Sequence, residues 1–155
     1  MSRNAEIVAR ARGVLYPNYK PLPISFESGS GCTLVDADGR EILDMAAGVA
    51  VCSVGHAHPR LAQAIAEQAK TLLHVSNYVY NTVNVELAEA LVKRSGLARA
   101  FFCNSGAEAN EALIKLARYH FYANGAPTRT RIVAFDNAFH GRTLGSLSMT
   151  GTKKY

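Results

Sequence analysis

The stretch from residue 98 to residue 137 alternates an apolar run, an amphipathic helix pattern and a second apolar run. The two runs, ARAFFCN and RIVAFDN, have the length of buried strands. Between them, GAEANEALIKLARYHFYA repeats apolar residues at the helical period on one face. Strand, helix, strand with continuous apolar strands is typical of a parallel sheet covered by helices on both faces. The sequence therefore predicts an α/β fold.

The turn between the first run and this helix has two interpretations. Ser105 and Glu108 have capping-box spacing, in which each side chain accepts a hydrogen bond from a first-turn N–H. Alternatively, the N–H groups of Gly106 and Ala107 bind a phosphate at the positive end of the helix dipole, and Glu108 then has to point away. The sequence contains neither GxxxxGK[ST] nor GxGxxG, so nucleotides are not indicated. A small phosphorylated cofactor stays open.

The loop FDNAFHGRTLG, residues 135–145, follows the second run and is predicted to emerge at the same sheet edge as Ser105. Phe139 is suited to stack on a planar ring. Arg142 is suited to bind a carboxylate through two parallel hydrogen bonds. The alternatives are core packing for Phe139 and a solvated surface charge for Arg142.

On the helix of residues 106–123, Glu111 and Lys115 have the favourable i,i+4 order of an exposed ion pair.

The hairpin region before residue 50 is predicted to form a separate layer or subdomain. A short helix in the first fifteen residues precedes a proline-rich connector, YPNYKPLP, and a hairpin with its turn at residues 36–39. The small residues of 45–59 fit neither helix nor strand. Pro59 opens a helix that stops by His74, and a second helix runs from about Val85 to Arg94, with Gly96 at its C-cap.

Composition argues against several classes of protein. The 17 Lys and Arg against 12 Asp and Glu are scattered, which does not favour nucleic acid as a partner. The three cysteines form no C-x-x-C pair, and His56 and His58 have no acidic or cysteine neighbour, so no metal is predicted. No run of eighteen apolar residues occurs, so no membrane association is predicted and the cytoplasm is the expected compartment.

Four segments together resemble the class III pyridoxal-phosphate aminotransferases. They are DMAAGVAVCSVGHAHP, SNYVYNTVNVELAEAL, FFCNSGAEANEALIKLAR and FHGRTLGSLSMTG. The resemblance implies the fold type I of pyridoxal-phosphate-dependent transferases, a mostly parallel sheet with helices on both faces plus a small N-terminal subdomain. It also implies that residues 1–55 belong to the small domain and that residues 56–155 begin the large cofactor-binding domain.

The resemblance implies roles for particular residues. Ser105, Gly106 and Ala107 would hold the phosphate of pyridoxal 5′-phosphate, and Phe139 would stack on its ring. Arg142 would bind the α-carboxylate of the substrate, and Tyr19 would lie on the substrate side. None of the six lysines lies in a segment similar to the family's Schiff-base lysine. The chain is therefore expected to be the N-terminal portion of a homodimeric enzyme, inactive alone.

The resemblance also implies a substrate class, an amino acid and a 2-oxo acid. Val49 stands where ornithine aminotransferases look aromatic, and its small side chain resembles the branch that exchanges an amino group between N-acetylornithine and 2-oxoglutarate in arginine biosynthesis. Ornithine, succinylornithine and 4-aminobutyrate stay open as alternative amino donors. A non-catalytic phosphate-binding or interaction fragment is the alternative from another class.

Overall fold

The computed structural model describes residues 1–154 and divides into two compact units, Met1–Tyr78 and a second beginning at Val79. The first contains α1 (Arg3–Val14), β1 (Phe26–Ser30), β2 (Thr33–Asp36), β3 (Glu41–Leu43), α2 (Ala47–Ala50) and α3 (Pro59–Thr71). The second contains α4 (Thr82–Ser95), α5 (Gly106–Ala123) and α6 (Leu144–Ser148). The predicted domain boundary after residue 55 stays a prediction.

The three strands form one antiparallel sheet in the order β1-β2-β3. β2 and β3 pair with Leu34 opposite Ile42, which confirms the predicted hairpin. Gly39 closes the turn at φ 84°, a left-handed conformation that glycine adopts without a steric penalty.

A buried polar cluster fastens α1 to this hairpin. The Asn4 side-chain amide donates to Asp36 Oδ2 and to Asp38 Oδ2, both at 3.0 Å, and its oxygen accepts from the Ser25 N–H at 2.7 Å. Burial alone would raise the pKa of Asp36, but hydrogen bonds from the Arg40 backbone and guanidinium and from Asn4 outweigh it and lower the pKa. Asp36 therefore stays a carboxylate although its side chain is buried.

The predicted irregularity of residues 45–59 is confirmed in α2, a single turn of left-handed backbone. Ala47, Gly48, Val49 and Ala50 all have positive φ, between 47° and 64°. Asp44 precedes this turn, and its Oδ1 accepts from the N–H groups of residues 46 and 47 at 2.8 and 2.9 Å. Since non-glycine residues avoid this region, the side chain of Asp44 supplies part of what holds the turn.

The helices of the second unit begin and end close to the predicted residues. α5 has the predicted bounds, and Gly96 ends α4 in the left-handed conformation at φ 71°, as predicted. α4 begins at Thr82, three residues before the predicted start. The reason is Asn81, whose side chain accepts from the N–H groups of Val83 and Asn84 and caps the first turn.

The prediction that the two apolar runs form strands is wrong. Neither 98–104 nor 131–137 forms a strand, and the sheet of β1–β3 is the one sheet that residues 1–154 form. Phe101 is 73% exposed and Val133 is 88% exposed, whereas Ile114 is the one large apolar side chain buried within this part of the chain. A buried parallel strand needs hydrogen-bonded neighbours on both sides, and these two runs do not pair with each other.

Candidate functional site

The N-terminus of α5 combines features of both predicted interpretations. The Ser105 hydroxyl oxygen accepts from the Glu108 N–H at 3.2 Å, as a capping residue does. The Glu108 carboxylate does not complete the box at Ser105; its Oε2 accepts from the N–H of Asn104 at 2.6 Å. Glu108 therefore folds back over the residue that precedes the cap.

This arrangement leaves the next two backbone donors available. Within residues 1–154, the N–H groups of Gly106 and Ala107 make no hydrogen bond. A Cβ placed on Gly106 would meet nothing within 4 Å, so the space around the first helical residue is open. Two unpaired N–H groups at the positive end of an 18-residue helix are a favourable position for an anion.

The loop that carries Phe139 and Arg142 lies directly against this helix start. Gly141 is buried with φ 129°, and a Cβ there would lie 2.7 Å from the Cβ of Ala107. Only glycine allows the two backbones to approach so closely. The structure thus brings the loop of residues 139–142 to the residues predicted to hold phosphate.

Phe139 and Arg142 also contact each other. The guanidinium carbon of Arg142 lies 5.6 Å from the centre of the Phe139 ring, within the range of a cation–π interaction. Phe139 is 62% exposed, so core packing within the described residues does not hold its ring. An aromatic face and a guanidinium are therefore both presented beside the start of α5.

Two neighbouring residues of α5 fasten this loop, and the sequence did not indicate either. The Asn110 side-chain amide donates to the His140 carbonyl oxygen at 2.6 Å. Glu111 Oε1 accepts from the Thr143 hydroxyl at 2.6 Å, from the Gly145 N–H at 2.8 Å and from the N–H of residue 146 at 3.1 Å. The predicted Glu111–Lys115 pair is wrong: no such ion pair is formed within residues 1–154.

The charge of Glu111 follows from these contacts. The hydrogen bond from the Thr143 hydroxyl, followed by that from the Ser146 N–H, lowers the pKa of Glu111 against the opposing effect of burial. Glu111 is therefore a carboxylate at neutral pH, bonded to the first turn of α6. The spacing Thr143-x-x-Ser146 was the available signal for that short helix, in which the Ser146 hydroxyl accepts from the Thr143 N–H at 3.1 Å.

Tyr19 lies in the first unit, 60% exposed. It lines a cavity of about 930 Å³ between α1 and the proline-rich connector, with Ile7, Tyr16 and Leu22 among the other walls. Its substrate-side role stays a prediction.

The two histidines of GHAHP do not gather metal ligands. His56 Nε2 lies 2.7 Å from Asp44 Oδ2. This hydrogen bond is the largest of the effects that lower the pKa of Asp44. Among residues 1–154, no three His, Cys, Asp or Glu side chains are placed to share a metal ion. In the same part of the chain, none of the helices has the length and apolar character needed to cross a membrane.

Comparison with known proteins gives matches along almost the whole chain. The class-III aminotransferase family model matches residues 14–155. The acetylornithine aminotransferase of Myxococcus xanthus is 47% identical over 149 residues, which are 96% of this chain and 37% of the relative. The mitochondrial acetylornithine aminotransferase of Alnus glutinosa is 47% identical over 154 residues, 97% of this chain and 34% of the relative.

A comparison with solved structures also gives aminotransferases. The ornithine aminotransferase of Toxoplasma gondii, whose active site is partially occupied by pyridoxal phosphate, is 29% identical with a TM-score of 0.88. That match covers 99% of this chain and 36% of the other. The chain therefore belongs to the class-III aminotransferase family, and its α/β fold is that of pyridoxal-phosphate-dependent transaminases, as predicted. It spans about a third of the length of the relatives it matches.

Proposed function

We propose that this chain supplies the phosphate- and ring-binding part of a pyridoxal-phosphate-dependent aminotransferase. The observation that carries the proposal is the contact of Gly141 with Ala107, because it places the loop of residues 139–142 at the free N–H groups of α5. A phosphate, a planar ring and a carboxylate then have binding groups within one small region. These are the three parts that an amino acid and this cofactor present together.

The residues present fit this cofactor. The N–H groups of Gly106 and Ala107 and the Ser105 hydroxyl would hold its phosphate, since backbone donors at a helix N-terminus favour a dianion. Phe139 offers an exposed aromatic face for the pyridine ring. When bound, pyridoxal phosphate acts as an electron sink for the amino-acid carbon that exchanges its amino group. The chain's own part is to hold and orient it.

Arg142 is proposed to bind the α-carboxylate of the substrate. A guanidinium is a positive charge with parallel donors that match the geometry of a carboxylate. The contact with Phe139 places that charge next to the proposed ring site. A carboxylate bound there would orient the substrate toward the cofactor ring.

N-acetylornithine is the proposed amino donor and 2-oxoglutarate the acceptor, a reaction of arginine biosynthesis. Relatives 44% to 48% identical carry the name acetylornithine aminotransferase, and these supply the argument for the substrate. Val49 is 91% exposed on the left-handed turn of α2 and is proposed to leave room for an acylated side chain. Tyr19 is proposed as a further substrate-side group. A cytoplasmic homodimer is the proposed form, by analogy with the family.

The test measures amino transfer by the complete protein with pyridoxal phosphate. N-acetylornithine with 2-oxoglutarate should give the highest kcat/KM, above ornithine, succinylornithine and 4-aminobutyrate. Arg142→Lys should lower kcat/KM by about a hundredfold through loss of the bidentate geometry, with cofactor affinity nearly unchanged. Arg94→Lys, on the exposed last turn of α4, is the matched control and should behave as wild type.

Two results would overturn parts of this proposal. Equal kcat/KM in Arg142→Lys and wild type removes Arg142 from the carboxylate role. Cofactor binding without transfer from any of the four amino donors makes the protein a binding protein and not an aminotransferase.

A further inference from the structure

We propose that Glu111 and Asn110 are positioning residues that fix the loop of residues 139–142 against the phosphate end of α5. The inference rests on the proposed function, because it assigns these two residues to the same site. Neither touches the proposed cofactor. They act through the loop, by setting where Phe139 and Arg142 stand relative to Gly106.

Glu111 provides the stronger attachment. A single carboxylate oxygen, Oε1, accepts three hydrogen bonds, from the Thr143 hydroxyl and from the N–H groups of Gly145 and Ser146. All three donors follow Arg142 within four residues. Glu111 therefore binds the C-terminal end of the loop, and its negative charge stabilises the three donors together.

Asn110 provides the attachment on the other side of Gly141. Its amide donates to the His140 carbonyl oxygen at 2.6 Å, and the His140 N–H donates to the Thr150 hydroxyl at 3.1 Å. The loop is thus held at residue 140 by Asn110, at residue 141 by contact with Ala107, and from residue 143 onward by Glu111. Phe139 directly precedes the first attachment, and Arg142 lies between the second and the third.

Asn110 and Glu111 can hold both ends of the loop because they follow the proposed phosphate-binding N–H groups on the same helix. Gly106 and Ala107 begin α5, and residues 110 and 111 come one turn later. A movement of α5 therefore carries the phosphate donors and the loop together. Binding groups held in one rigid frame keep the near-attack geometry, in which a 1 Å error costs about a hundredfold in rate.

The buried Ser146 extends the attachment. Its side chain is fully buried, its hydroxyl lies 2.8 Å from the Thr143 hydroxyl, and it accepts from the Thr143 N–H at 3.1 Å. Gly145 is close to the Glu111 carboxylate, since a Cβ on Gly145 would overlap its oxygens. The carboxylate is therefore enclosed on the side of α6 and has one favoured position.

The first test needs no cofactor. Amide hydrogen exchange in the complete apoprotein should be about tenfold faster at Gly145 and Ser146 in Glu111→Gln than in wild type, and faster still in Glu111→Ala. Glu89→Gln, an exposed glutamate of α4, is the matched control and should leave these two amides unchanged. Unchanged exchange in both Glu111 variants overturns the proposal, whatever the protein binds.

The second test separates positioning from general stability. In the loaded enzyme, Glu111→Gln should raise KM for the amino donor about tenfold and change the visible circular dichroism of bound pyridoxal phosphate, while the thermal midpoint falls by no more than a few degrees. Glu111→Ala should show larger effects of the same kind, so that glutamine counts as partial rescue. A fall in thermal midpoint without a change in KM or dichroism assigns Glu111 a structural role only. Failure of the wild type to bind pyridoxal phosphate refutes the proposed function and leaves the exchange result to decide the attachment.

Discussion

Replacing Gly141 with alanine tests how closely the loop of residues 139–142 lies against α5. Gly141 has φ 129°, and a side chain in such a region costs about 1–3 kcal/mol in strain. The added carbon would lie 2.7 Å from Ala107 Cβ and 2.6 Å from Ser146 Oγ. Because ordinary contact begins at 3.4 Å, the loop has to move by about 0.7–0.8 Å to relieve both contacts. Strain and overpacking together should cost about 2–5 kcal/mol.

The assay combines urea denaturation of the complete protein with titration of pyridoxal phosphate. Gly141→Ala should lower the unfolding midpoint and raise the Kd for the cofactor at least about tenfold, since the displaced loop carries Phe139 away from its position. Gly13→Ala in α1 is the matched control: a Cβ there meets nothing within 4 Å, so we expect a gain of about 0.4–1 kcal/mol. If Gly141→Ala matches wild type in both measurements, the loop does not lie this close to α5.

Further predictions concern the remaining polar contacts. Asn4→Ala should lower the free energy of unfolding by about 2–3 kcal/mol, because it removes hydrogen bonds to two carboxylates, of which that of Asp36 is buried. The lowered pKa of Asp36 contributes stability that is present above its ordinary value of 3.8 and lost as pH falls through the folded pKa, so the urea midpoint of wild type should decline more steeply below that pH than that of Asp36→Asn. Asp44→Asn weakens the contact with His56 and should speed hydrogen exchange in α2; unchanged exchange would show that other contacts hold the turn. Ser105→Ala should cost about 0.5–2 kcal/mol as a lost helix cap and also weaken cofactor binding, so an unaltered Kd would reduce Ser105 to a cap alone.

Local signals in the sequence predicted the helices well. The bounds of α5 followed from its apolar stripe and the Ser105 cap, and the end of α4 followed from Gly96, because these features act within a few residues. The start of α4 was missed because Asn81 was not recognised as a cap. The apolar runs 98–104 and 131–137 were predicted as strands from composition alone, whereas strand formation depends on partners elsewhere in the chain.

Site residues could be predicted from the sequence where only a few residue types can perform the required binding. Phe139 and Arg142 could be predicted because few residue types stack on rings or bind carboxylates with two hydrogen bonds. The structure places the two side chains in contact. Glu111 was misassigned because its spacing to Lys115 suggested an exposed pair, while its actual donors lie 32 to 35 residues later. The contact of Gly141 with α5 is not predictable from the sequence, because no residue near Gly141 in the chain indicates it.

The most direct test of the phosphate site is the Kd for pyridoxal 5′-phosphate in Gly106→Asp compared with Gly106→Asn. Both side chains have room, since a Cβ on Gly106 meets nothing within 4 Å. Aspartate in the first turn should stabilise α5 by about 0.3–1 kcal/mol through the helix dipole, so any loss of binding is not a loss of fold. If Gly106 holds the phosphate, the aspartate variant should bind pyridoxal phosphate at least about tenfold more weakly than the asparagine variant, because two anions then share one site. Equal Kd values in the two variants would show that the phosphate binds elsewhere.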